Sequence, residues 1–140
     1  MRSADLLADE EHLSAAERAR RERLRESGSG ITAFSTDDSF SIVAFSLSGS
    51  LWVVDVASGA RQNFAQYHAV VDPRMSPNGE FVAFTSGADF VVARTKDGSE
   101  VQRLVAESDT VSYGLADFIA AEELDRYRGH WWSPDSKHVV

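Results

Sequence analysis

Two adjacent carboxylates, Glu122-Glu123, are the residues in this chain whose types and spacing best suit ligand chemistry. They lie in an acidic stretch: from Glu107 to Asp125 there are six carboxylates and no Lys or Arg. On a strand, neighbouring side chains point to opposite faces; on a helix they stand ~100° apart, so both lean on one cation. Such a pair repels anions and, without neighbours of metal-ligand type, makes a poor metal site. It suits a primary ammonium. A peptide α-amine, with a pKa near ~8, is mostly charged at neutral pH and presents its N–H donors to carboxylates as charge-assisted hydrogen bonds. Capture of an N-terminal amine is an established recognition mode. The alternative is an ordinary solvated pair on an exposed helix. Nothing else here reads as catalytic. His12, His68, His130 and His138 have no recognisable partnered nucleophile, and no Gly-x-Ser-x-Gly elbow occurs. His130 abuts Trp131-Trp132 and reads as packing rather than acid–base chemistry. The two tryptophans read as strand core.

The element that must present the glutamates is a short helix. Leu115, Phe118, Ile119 and Leu124 have helical rather than alternating spacing, which predicts a helix near 115–125. It interrupts a repeat. Phe34-Ser35-Thr36-Asp37-Asp38 opens one unit, Met75-Ser76-Pro77-Asn78-Gly79 a second and Trp132-Ser133-Pro134-Asp135-Ser136 a third, with steps of 41 and then 57 residues. In the first two units a strand ending in Ala44-Phe45 or Ala83-Phe84 follows. Next come a small-residue turn (Ser48-Gly49, Ser86-Gly87) and an aromatic-Val-Val strand (Trp52-Val53-Val54, Phe90-Val91-Val92). A turn ending in Gly59 or Gly98 then precedes a last strand, Arg61–Phe64 or Glu100–Val105. Short strands with Gly, Asp and Asn turns indicate an all-β fold, and one antiparallel sheet per repeat is the form of a β-propeller blade. The Ser-Pro-Asn-Gly turn joins strands and carries no chemistry. Extra residues in repeat arrays emerge on one face, often the binding face, so residues 106–130 are where function is expected.

Residues 1–30 differ in character. Ser14-x-x-Glu17 has capping-box spacing, and good helix formers run from Ala15 to Glu26 before Ser27-Gly28-Ser29-Gly30 stops them. Glu17 lies four before Arg21, a favourable pairing. Arg18, Arg20, Arg21, Arg23 and Arg25 make this either a basic docking helix or a solvated helix laced with ion pairs, and the interleaved Glu17, Glu22 and Glu26 favour the second.

The bulk numbers exclude several classes. The chain has 140 residues, 43% hydrophobic and 26% charged, a globular balance. Its net charge of −8 argues against nucleic acid as a partner. No apolar run approaches the ~18 residues of a membrane span, and the acidic N-terminus is unlike a signal peptide. No membrane partner and a cytoplasmic location are the expectations. The absence of cysteine removes disulfides, thiolate chemistry and Cys-based zinc sites. No cofactor and no metal are expected.

The run Glu122-Glu123-Leu124-Asp125-Arg126-Tyr127-Arg128-Gly129-His130-Trp131-Trp132-Ser133-Pro134-Asp135 resembles the substrate-recognition segment of dipeptidyl peptidase IV-like serine peptidases, in the prolyl oligopeptidase clan. In that family a Glu-Glu pair precedes a Trp-Trp-Ser-Pro turn by this spacing. Leu13-Ser14 through Arg23, and Gly30-Ile31, look like the helical lead-in of bacterial members. The resemblance implies a propeller followed by an α/β-hydrolase domain. It implies that Glu122 and Glu123 bind the free ammonium of a peptide N-terminus. An amine fixed at a set distance from a nucleophilic serine leaves only the second peptide bond within reach, so dipeptides are released. The family's catalytic residues have no counterpart here. Its substrate-side arginine has no motif match either, and Arg126 is not assigned to it. A homodimer is one option for the full-length form. The expectation is therefore a helical lead-in (1–30) and an incomplete N-terminal propeller of about two blades plus the start of a third (31–140). The hydrolase domain would be absent, and the chain inactive alone and marginal in stability. The alternatives are a non-catalytic propeller scaffold that binds another protein, and an inactive truncated product.

Overall fold

The turn opening each repeat shows most directly how this sequence folds. In the computed structural model, which describes residues 12–23, 30–108 and 110–140, the turns at Ser76 and Ser133 carry one hydrogen-bond pattern. Ser76 N donates to Phe81 O and Phe81 N to Ser76 Oγ, as Ser133 N donates to His138 O and His138 N to Ser133 Oγ. Asn78 Oδ1 and Asp135 Oδ1 cap the following N–H groups of Glu80 and Lys137. In the first unit Asp37 takes the serine's place: its Oδ1 accepts from Ile42 N at 2.8 Å, and its carbonyl from Phe40 N. The structural repeat is thus 39 residues, Asp37 to Ser76, rather than the 41 expected from matching Ser35 with Ser76. A carboxylate and a hydroxyl both accept a backbone N–H, so the role passes between residue types that look different in sequence.

Two antiparallel sheets follow. β1 (Ser35–Thr36), β2 (Ile42–Leu47), β3 (Ser50–Asp55) and β4 (Arg61–Phe64) form the first, in that order. β5 (Val70–Met75), β6 (Phe81–Ser86), β7 (Asp89–Arg94) and β8 (Glu100–Leu104) form the second. β5 had no strand signature. Asp72-Pro73 breaks its alternation, and the pairing shifts register between Val71 and Arg74, with Asp72 at φ 50°. A third unit begins with a bridge between Trp132 and Val139. This is the all-β, partial-propeller architecture expected from the repeats, with a helix before it and another inserted in it.

Because side chains alternate along a strand, each sheet has two apolar faces. Leu51 and Val53 of the first sheet meet Phe84, Val91 and Ala93 of the second, with Phe64, Tyr67 and Val70 in the same core. Tyr67 stands edge-on to Phe84 at 4.8 Å, and its hydroxyl donates to Gly98 O at 2.8 Å. The opposite face of the first sheet holds a second cluster of Phe45, Leu47 and Val54, with Trp52 and Ile31 against it. The opposite face of the second sheet lines an open apolar cavity of about 350 Å³ with Phe81, Phe90, Val92, Leu104, Trp132 and Val139. Trp132 stacks on Phe81 and donates its indole N–H to Arg74 O at 3.0 Å, as a core residue should. Trp131 does not share that role: it is 37% exposed, with the Arg128 guanidinium over its ring.

The N-terminal helix α1 (Ala15–Arg23) is capped by Ser14 Oγ, which accepts from Glu17 N. Its Leu24, Arg25 and Glu26 extension and the Ser27-Gly28-Ser29 stop lie outside the described residues. Glu17 accepts from Arg20 and Arg21, each at 2.8 Å, confirming the Glu17–Arg21 pair. The helix is nonetheless docked, not merely solvated. Glu17 and Arg21 are buried, Arg21 donates to Gly30 O, and Arg20 donates to Thr32 Oγ1. Among the described residues no helix is long and apolar enough to cross a membrane.

Candidate functional site

Residues 115–128 leave the second sheet and return to it as a closed excursion. At its base Tyr113 N donates to Ala88 O, Thr85 Oγ1 donates to Tyr113 O, and Leu115 pairs with Arg128 in an antiparallel bridge. The two arms cross so tightly at Gly129 that an added Cβ would lie 2.4 Å from Gly114 O. His130 closes the crossing. It is 2% exposed, its Nδ1 lies 3.0 Å from Gly114 O, and its ring stands edge-on to Phe90 at 4.9 Å. Since a carbonyl only accepts, Nδ1 carries the proton. Nε2 is buried and has no hydrogen-bond partner among the described residues. Burial outweighs the favourable backbone and Asp72 contributions and holds the imidazole below its ordinary value.

At the tip is helix α2 (Phe118–Glu123). Six residues are too few to be helical alone, so its ends are fixed from outside. Asp117 Oδ1 accepts from Ala120 N at 2.8 Å as the N-cap, and Arg126 N donates to Ala120 O at 2.9 Å beyond the C-terminus. The helix expected near 115–125 is present, but the apolar stripe is not what it buries. Ala120 and Ala121 face inward, while Phe118, Ile119 and Leu124 are at least 60% exposed. Small residues allow the close approach, which a Phe at either position would not.

Glu122 and Glu123 end this helix, both exposed, with no ion-pair partner among the described residues. Consecutive positions on a helix set them ~100° apart. Arg126 turns from them toward Asp117, at 3.7 Å and largely in solvent, where such a pair contributes little. The arginines that approach α2 are on α1, which the sequence did not link to it. Arg20, Arg23, Asp72, Ala121 and Tyr127 line a cavity of about 50 Å³, and the Arg23 guanidinium sits 5.8 Å from the Phe118 ring centroid. Beneath lies a partly buried charged group. Arg74 pairs with Asp72 at 2.5 Å, yet Asp72 Oδ2 and Arg74 Nε have no partner among the described residues. Burial, and then the nearby Arg74 charge, lower the Arg128 pKa. Among the described residues no group of His, Cys, Asp and Glu could hold a metal ion.

Two four-stranded antiparallel sheets, one per repeat, with a helix-bearing insertion after the second, define a partial β-propeller. Residues 31–140 match the dipeptidyl peptidase IV (DPP IV) N-terminal region, and the chain belongs to that family. Dipeptidyl peptidase 8 of Mus musculus is 31% identical over 77 residues, which is 49% of this chain and 9% of that protein. Dipeptidyl peptidase 8 of Homo sapiens is 32% identical over 76 residues, 48% of this chain and 8% of that protein. The matched stretch is therefore under a tenth of either relative.

Proposed function

We propose that this chain is the substrate-anchoring part of a dipeptidyl peptidase, in which Glu122 and Glu123 hold the α-ammonium of a peptide. The observation that carries the reading is the pair itself: two exposed carboxylates, without an ion-pair partner among the described residues, at the end of a helix whose caps and base are fixed. A fixed platform matters because carboxylates that need not be ordered on binding lose less entropy in doing so. Arg23, at the cavity beside α2, is the arginine we place near the peptide backbone. Proteolysis itself would need a nucleophile that these residues do not supply.

The test is titration of a short free-amine peptide against the chain and against E122Q, E123Q and the double variant, with the N-acetylated peptide as control. Each charged hydrogen bond lost should weaken binding by about 1.5–3 kcal/mol, and acetylation should abolish it. Equal affinity for the acetylated peptide would remove the amine reading. The exposed Phe118, Ile119 and Leu124 favour a second reading, a protein-binding scaffold. On that reading the glutamine variants would bind as the parent does.

A further inference from the structure

The buried imidazole at the base of the excursion has no role in the amine reading as it stands, yet it is the group through which the recognition helix is attached. Both arms converge on it. Gly114 O receives its Nδ1 proton, Arg128 Nε donates to its own carbonyl at 2.8 Å, and Gly129 beside it fits only without a Cβ. The charged groups that face the ring are Asp72 and Arg74 on β5, which oppose one another; β6 and β7 contribute the Ala83 backbone and the Phe90 ring. The neutral ring is satisfied at Nδ1 and leaves one uncharged acceptor, the Nε2 lone pair, without a partner among the described residues. A protonated ring would carry its charge into this buried site, where the Ala83 backbone lies near the ring but no acceptor meets Nε2 in hydrogen-bond geometry, at the cost of desolvating that charge.

We propose that His130 is a pH-sensitive positioning residue: neutral, it clamps the two arms of residues 115–128 and holds Glu122 and Glu123 in place; protonated, it releases them. The functional consequence rests on the amine reading of those glutamates, whereas the clamp does not. An opened excursion exposes the imidazole to water, where its ordinary value is near ~6.5. The open form therefore binds a proton that the closed form resists, and opening becomes easier as pH falls below ~6.5. Between about pH 7.5 and about pH 5.5 the opening equilibrium rises about 10-fold if the closed form stays neutral throughout. Protonation of the peptide amine runs the other way, because an α-amine with a pKa near ~8 becomes more fully charged as pH falls.

Hydrogen exchange of the Ala121 and Arg126 amides, whose bonds close α2, reads the clamp directly. Rates are corrected for intrinsic exchange and referenced to amides of β2 and β3. Protection in the parent chain should fall about 10-fold on acidification over that range. The variant H130N, whose amide N–H sits near the Nδ1 position, should keep its neutral-pH protection and lose the acid response. This separates His130 from the other three histidines, and it remains informative if a bulkier replacement fails to fold. Affinity for the free-amine peptide scales with the closed fraction, so it falls in the parent chain only once opening is substantial, and stays level in H130N. A flat pH profile in the parent chain, or the same acid loss in H130N, overturns the clamp. An acid-sensitive exchange that H130N abolishes, with no peptide bound at either pH, upholds the clamp and removes the amine reading.

Discussion

Replacing Gly129 with alanine tests the crossing on which the placement of α2 depends. The added Cβ would lie 2.4 Å from Gly114 O, 2.5 Å from Gly114 C and 2.5 Å from Leu115 C. All three are backbone atoms, so no side chain can swing aside. Ordinary contact begins near 3.4 Å, and one arm must therefore move by about 1 Å. That movement stretches the Leu115–Arg128 bridge and the 3.0 Å contact of His130 with Gly114 O together. Forcing an extra methyl into a packed site costs about 1–3 kcal/mol. Set against the opening of residues 115–128, this raises the open population about 5- to 150-fold. The assay is exchange at Ala121 and Arg126, alongside urea unfolding followed by tryptophan fluorescence. The expected result is a large local loss of protection with a smaller change in the global midpoint. Gly59 is the control: it sits at φ +69° with nothing within 4 Å of its Cβ position, so alanine there costs only the left-handed conformation, about 1 kcal/mol, and leaves α2 untouched. If Gly129→Ala leaves exchange at α2 unchanged, the arms do not cross as closely as described, and the argument that the base positions the glutamates fails.

Other consequences are open to measurement. Tyr67→Phe should cost only about 0.5–1.5 kcal/mol in urea unfolding, because Gly98 O keeps its bond from Gln66 Nε2 at 3.1 Å. Adding Gln66→Ala should cost more than the sum of the single changes, and simple additivity would contradict that shared acceptor. Burial, then the charge of Glu100, raises the Tyr67 pKa; the folded state holds this proton more tightly than the unfolded one, so stability should be intact below about pH 10 and fall above it, a decline that Tyr67→Phe should reduce. For Glu17, burial opposes ionisation, but hydrogen bonds from Arg20 and Arg21 outweigh it and lower its pKa. The docking of α1 should therefore be firm above about pH 4.3 and weaken as acid protonates the carboxylate, seen as faster proteolysis near the N-terminus, and Glu17→Gln should show that sensitivity already at neutral pH. Phe84→Ala, at a fully buried site between the sheets, should cost about 3–5 kcal/mol and abolish cooperative unfolding if the inter-sheet core holds the two repeats together.

Most of the sheet structure was legible because its signals are local. The repeated runs ending in Ala-Phe and the aromatic-Val-Val runs gave β2, β3, β6 and β7, and the Gly59 and Gly98 turns gave the hairpins that follow them. The parts that were not legible depend on partners distant in sequence. β5 is held by its pairing with β6 through a bulge, and the stretch Val-Val-Asp-Pro-Arg-Met has no period of its own. The two-residue displacement of the first repeat has a similar cause: Asp37 satisfies the N–H groups that serine satisfies elsewhere, and residue type conceals a shared role. Trp131 and Trp132 are adjacent and look alike, yet only Trp132 faces Phe81, because consecutive strand residues take opposite faces.

Helix α2 separates what a motif specifies from what a fold must add. The proposed amine reading of the two adjacent glutamates rests on their charge and their helical neighbours, since both properties belong to the residues themselves. What makes them a platform belongs to the chain around them. The bridge from Leu115 to Arg128, the glycine contact at 114 and 129, and the His130 ring join residues more than a dozen positions apart, and no spacing rule marks such a crossing. His130 was readable as packing, and its burial against Phe90 bears that out. But a packed imidazole differs from a packed phenyl ring in having a protonation state, and this one closes the only bridge and the tightest backbone contact at the foot of the excursion among the described residues. On the proposed clamp, packing at that position sets the placement of the two carboxylates, and a change in the charge of the ring would reach the far end of the helix.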